Sequence, residues 1–164
     1  MAVGGPCLPG ESLGAVPRRD PGGNRRKRKK GRKKEAKTMT APVFARPKEK
    51  VSFDPARFAA KPLFESPEMK VIQAAFKAGQ FIPIHTPDVH VVLYILSGEG
   101  EVVAGEKRRH VREGDLVVVP RKVARGVKAK TDMVILHVVS PPPTEADHGD
   151  MAARIARGDF ELPA

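Results

Sequence analysis

Between Pro62 and Pro141 the chain repeats one pattern: a short β-branched or apolar run, then a turn rich in Gly, Ser or Pro, every 8–12 residues. Met69–Phe76 is one such run, closed by Gly79, and Val89–Leu96 is apolar almost throughout, as a strand buried on both sides would be. Ser97-Gly98-Glu99-Gly100 supplies a turn with glycines available for positive φ, and Glu101–Ala104 returns as a strand. Arg108–Val111, Leu116–Val119, Val123–Lys128 and Met133–Val139 follow, the last ended by Pro141-Pro142-Pro143. No helical period interrupts this series. The pattern therefore predicts an all-β fold: one antiparallel barrel or sandwich over residues 62–141.

The flanks read differently. Residues 41–61 form an N-terminal arm with Phe44, Phe53 and Phe58 as isolated apolar anchors, expected to pack on the barrel or on a second subunit. Residues 142–164 form a C-terminal helix and tail. Thr144 can cap that helix, Glu145 and Asp147 suit its first turn, and Met151, Ala152 and Ile155 make a narrow apolar stripe leading to Phe160.

Charge is distributed unevenly. The formal net charge is +11, but residues 1–38 carry +9 of it, most densely in the run Arg25–Lys34, and the rest of the chain is nearly neutral. Like charges at that density, preceded by Gly and Pro, predict a disordered tail over residues 1–40. Such a run can neutralise nucleic-acid phosphates through residues 25–34, although no aromatic residue lies there to stack on bases. A plain solubilising extension is a second reading. A start assigned too early is a third, because Met39 opens a segment that reads like a natural beginning. No run of 18 apolar residues exists to span a membrane. The single cysteine, Cys7, allows no internal disulfide, so a cytoplasmic, reducing setting is expected.

Two stretches carry a family likeness. Gly79-Gln80-Phe81-Ile82-Pro83-Ile84-His85, followed by Leu93–Glu101 with Gly98, resembles the first motif of the cupins: Gly, five residues, His-x-His, three or four residues, Glu, six residues, Gly. Gly114–Pro120 resembles the start of the second, which reads Gly, five residues, Pro, and ends in a His. The likeness covers about half the chain and implies a single jelly-roll-type barrel. It also implies a divalent metal, commonly Fe, Mn, Ni or Zn, held inside by those histidines and the glutamate.

Carried over residue by residue, only His85 keeps a ligand. Pro87 stands at the second His position, Val91 at the Glu position and Arg125 at the His of the second motif. Two readings of the site follow. In the first, the barrel binds a small anionic molecule, with Arg125, His85 and Tyr94 as contacts and Arg125 pairing with a carboxylate or phosphate. In the second, His85, His90 and His137 form a histidine-only metal site for a dioxygenase-like or isomerase-like enzyme, with Asp88 at the rim. Set against these are plainer roles: Arg125 on a solvated face with Arg121, Lys122 and Lys128, His137 as a hydrogen-bonded core residue, and His90 in a loop. His110 is expected to be exposed, and His148 receives no role. Cupins of this size commonly form homodimers, which would make the arm the exchanged element.

Overall fold

The computed structural model describes residues 38–161. The basic run at 25–34, its nucleic-acid reading, the early-start reading and Cys7 all fall outside those residues.

Alternating side chains with one apolar face force each strand to bury that face against a second sheet. Nine strands do so here: β1 (Ala59–Glu65), β2 (Lys70–Phe76), β3 (Phe81–His85), β4 (His90–Ser97), β5 (Glu99–Ala104), β6 (Lys107–Arg112), β7 (Leu116–Val119), β8 (Arg125–Ala129) and β9 (Met133–Ser140). One sheet runs β1-β2-β9-β4-β7 and the other β3-β8-β5-β6. Every pairing is antiparallel. This is the expected jelly-roll barrel. Between the sheets, Phe76, Leu93, Ile95, Val102, Val111, Val119, Met133 and Ile135 make one continuous core.

The structure corrects the sequence reading at three points. β1 begins at Ala59, so the barrel takes three residues that the arm was expected to hold. β4 is not buried on both sides. Val91, Leu93 and Ile95 are 1%, 3% and 0% exposed, whereas Tyr94 is 41% exposed on the outer face beside Leu116 and Val118. A strand in an antiparallel sheet with one covered face has only one apolar side to satisfy; the outward Val92 and Tyr94 imitated a two-sided burial. The C-terminal helix is two short ones, α1 (Glu145–His148) and α2 (Met151–Arg157), broken at Gly149 and Asp150. The side chain α2 buries most deeply is Arg154, not one of its apolar residues.

The arm folds onto its own barrel. The N–H of Met39 donates to Glu65 O at 2.8 Å, Gln73 Nε2 donates to Pro47 O, and Lys48 pairs with Glu113 across the sheet. Phe58 stacks on Phe76 with ring centroids 5.1 Å apart. Among the described residues no helix is long and apolar enough to cross a membrane.

Candidate functional site

The inner faces of the two sheets leave a cavity of about 320 Å³ at one end of the core. Its walls are largely apolar, with Phe58, Ile72, Ala74, Ile82, Val139 and Met151 contributing. Four polar side chains from four strands line it: Lys70 of β2, His85 of β3, Arg125 of β8 and His137 of β9.

Each is held by its strand. In β9 the inward set is Met133, Ile135, His137 and Val139, and His137 lies between Ile72 of β2 and Leu93 of β4. β3 and β8 pair so that His85 and Arg125 are opposite, next to an irregularity in the ladder. The two strands lie unusually close at this point. A Cβ on Gly126 would sit 2.7 Å from Ile84 Cγ1, so glycine beside Arg125 is what lets β3 and β8 approach.

Arg125 is 7% exposed. Its Nη1 donates to Val89 O at 2.7 Å. Among the described residues no other acceptor and no carboxylate within 4 Å meets this guanidinium. Burial pulls its pKa down to about 10, against a smaller opposing pull from Asp147, so it stays charged at neutral pH. Such a charge is costly unless something pairs with it.

The imidazoles are neutral. Burial, and then the charge of Arg125, bring His137 down to about 4. Its Nε2 has neither solvent contact nor a hydrogen-bond partner among the described residues. His85 is also shifted down, first by burial. Its Nδ1 lies 2.7 Å from Pro83 O, which requires the proton on Nδ1 and leaves Nε2 as an acceptor.

The C-terminal segment covers the cavity, with Pro143, Asp147, His148 and Met151 forming part of its wall. Asp147 fixes this cover: its carboxylate accepts from Thr144 N and Oγ, each at 2.8 Å, and from Asp88 N at 2.9 Å. Those bonds, the Thr144 N–H first, hold its pKa near 2. An open groove between the arm and α2 borders the cavity and shares Phe58, Ala60, His148 and Met151 with it.

The expected site residues thus divide. His85, Arg125 and His137 come together. Tyr94 does not join them, because it points outward from β4, and His90, two strand periods before it on the same face, is exposed too. Arg125 is not on the basic face, and Arg121 from that face pairs with Asp88 at 2.6 Å. His110 is exposed and lies 3.1 Å from Glu99. Two polar wall residues had no role in the sequence reading: His148, carried in by the C-terminal cover, and Lys70, which pairs with Glu65 at 3.1 Å. The stripe at Met151 and Ile155 was the available sign for His148, since a helix docked by that stripe brings its preceding residues along.

Comparison with known proteins fits this architecture. The family model described as "Cupin domain" matches residues 73–139. An RmlC-like cupin protein from Desulfovibrio desulfuricans is 34% identical, with 63% of this chain and 98% of that one covered and a TM-score of 0.54. The chain belongs to the cupin superfamily. The protein TT1209 from Thermus thermophilus is 25% identical, with 61% and 98% covered and a TM-score of 0.59. A double-stranded β-helix protein from Klebsiella pneumoniae, 20% identical with 64% and 98% covered and a TM-score of 0.55, shares the fold. No curated protein sequence matches the chain.

In this cupin the four motif positions all face inward, but with altered chemistry. His85, Pro87 and Arg125 line the cavity, and Val91 is packed in the core. Among the described residues no group of three or more His, Cys, Asp or Glu is placed to hold a metal ion. Two neutral imidazoles beside a permanent guanidinium do not fit a divalent cation, which the guanidinium would repel.

Proposed function

We propose that this cupin binds a small organic molecule bearing a negative charge in its barrel cavity. One observation carries the reading: Arg125 is a buried guanidinium with a single backbone hydrogen bond and no carboxylate partner among the described residues. A ligand anion would supply the missing counter-charge through charge-assisted hydrogen bonds, which are roughly twice as strong as neutral ones. His85 and His137 would complete the polar end, and the apolar walls would receive the rest of the molecule.

The histidine-only metal enzyme has less support, because His90 lies outside the cavity and Arg125 opposes a cation at His85. A test that separates the two follows the ring resonances of His85 and His137 by NMR. Titration with a panel of small organic anions should shift both rings, and Arg125→Met should abolish the shifts. Ring shifts produced by Zn²⁺ or Mn²⁺ at stoichiometric concentration, with no response to anions, would replace this reading by the metal one.

A further inference from the structure

We infer that the ligand is a monocarboxylate with a compact apolar body, its carboxylate on Arg125 and no second polar group elsewhere on the molecule. The inference rests on the cavity reading above and narrows it to one class of compound.

Charge inside the cavity is the first argument. Of the two cations in its wall, Lys70 is already matched by Glu65 at 3.1 Å, which leaves Arg125 as the one without a carboxylate among the described residues. Asp147 stands in the same wall as a carboxylate, so a second negative charge on the ligand would meet repulsion rather than a partner. One free cation calls for one anionic group.

The lining is the second argument. Among the described residues that form this wall there is no Ser, Thr, Asn, Gln or Tyr. The hydrogen-bonding side chains in the wall are His85, Arg125, His137, His148, Lys70 and Asp147, the last two already engaged with Glu65 and with Thr144 and Asp88, so a sugar acid or a nucleotide would leave several of its hydroxyls unpaired, at about 1–3 kcal/mol each. Phe58, Ile72, Ala74, Ile82, Val139 and Met151 instead present hydrocarbon. Arg125, the cation without a carboxylate partner among the described residues, lies opposite His85, so the ligand needs one polar end there and an apolar body.

Shape is the third. A carboxylate is planar and matches the fork of a guanidinium, whose other N–H groups remain after Nη1 is committed to Val89 O. A tetrahedral phosphate carries more charge and more oxygens than these donors can serve. His137 forms part of the same wall. A volume of about 320 Å³ lies at the small end of ligand pockets. It suits a body of on the order of ten heavy atoms, such as a substituted benzoate or a branched short-chain acid.

The experiment uses the full chain and calorimetric titration, with ring resonances of His85 and His137 read in parallel. Benzoate and 4-methylvalerate are compared with benzamide, succinate, gluconate and inorganic phosphate. The two apolar monocarboxylates should bind at least ten-fold tighter than the amide, and succinate, gluconate and phosphate should be weaker still. Arg125→Met should erase the preference for benzoate over benzamide. Equal binding of benzoate and benzamide, or tighter binding of succinate, gluconate or phosphate, overturns the monocarboxylate assignment while the cavity remains the binding site. If none of the six compounds shifts either ring, the cavity reading itself fails.

Discussion

His85 and Arg125 are directly opposed across the β3–β8 ladder, and both side chains enter the same cavity. Burial first, and more weakly the charge of Arg125, lower the His85 pKa, so the neutral imidazole gives Arg125 no counter-charge. Arg125 therefore stands in the folded chain as a buried charge with no counter-charge among the described residues.

That unmatched charge gives a stability test. Replacing a buried, poorly paired charge by a hydrophobic side chain of similar length is often neutral or stabilising by about 1–4 kcal/mol. Arg125→Met forfeits the bond to Val89 O, which offsets part of the gain. The variant should unfold within about 1 kcal/mol of the parent, or above it, in urea denaturation without ligand. A loss of about 3 kcal/mol or more would mean that Arg125 holds the barrel together.

Acid should destabilise the fold through His137. Its pKa is about 4 in the folded chain and 6.5 in the reference state. Above pH 6.5 both states are neutral and nothing is lost. As pH falls through 6.5 the unfolded chain takes a proton that the folded chain refuses, and the loss is complete only below about 4. The shift corresponds to roughly 3 kcal/mol, and His85, also shifted down, acts in the same direction. His137→Leu should remove most of this slope between pH 6.5 and 4, measured as urea midpoint against pH. An unchanged slope would place the acid sensitivity elsewhere.

The likeness to cupin motifs located the interior correctly because it is a matter of register. Once Gly98 and Gly114 set the turns, the strand period decides which residues face in, and His85, Pro87, Val91 and Arg125 all do. The same period, applied to β4, would have excluded His90 and Tyr94, which share the face opposite Val91, Leu93 and Ile95. The uniformly apolar run from Val91 to Leu96 hid that alternation. His148 was legible only in part: the stripe at Met151 and Ile155 signals a docked helix but not where it docks. Its place depends on how the segment after Pro143 docks, and that docking uses the buried Arg154 and backbone carbonyls, neither of which leaves a hydrophobic period.

Gly98 should tolerate no side chain. Its φ is +76°, and a Cβ there would lie 2.1 Å from Asp132 O and 2.8 Å from Met133 Cα. Both neighbours are backbone at the start of β9, the strand that carries His137. Left-handed strain alone costs about 1–2 kcal/mol, and the overlap adds to it. Gly98→Ala should lose on the order of 3–4 kcal/mol by urea unfolding. Gly79→Ala is the control: it bears the same left-handed strain at φ +87° but nothing lies within 4 Å of its Cβ, so it should lose only the strain. Equal losses in the two variants would show that the contact with β9 is unimportant.

The cover over the cavity should detach selectively when Arg154 is shortened. Its Nη1 donates to Ile84 O at 2.7 Å, and its Nη2 reaches Phe160 O and Glu161 O, tying α2 to β3 and to the chain end. The N–H of Ile84 also donates to Phe160 O at 2.8 Å. Arg154→Met keeps the length but strips the donors from three carbonyls, at about 1–3 kcal/mol for any that stay buried. The barrel strands do not depend on these bonds. Hydrogen exchange should therefore quicken at Ile84 and through α2, while Ile95, Ile135 and Val127 in the core strands keep their protection. The residues of the cover that line the cavity, His148 and Met151, move with α2. Benzoate should then dissociate faster from Arg154→Met than from the parent in stopped-flow displacement. Uniformly faster exchange across all strands would mean that Arg154 supports the whole fold and not the cover alone.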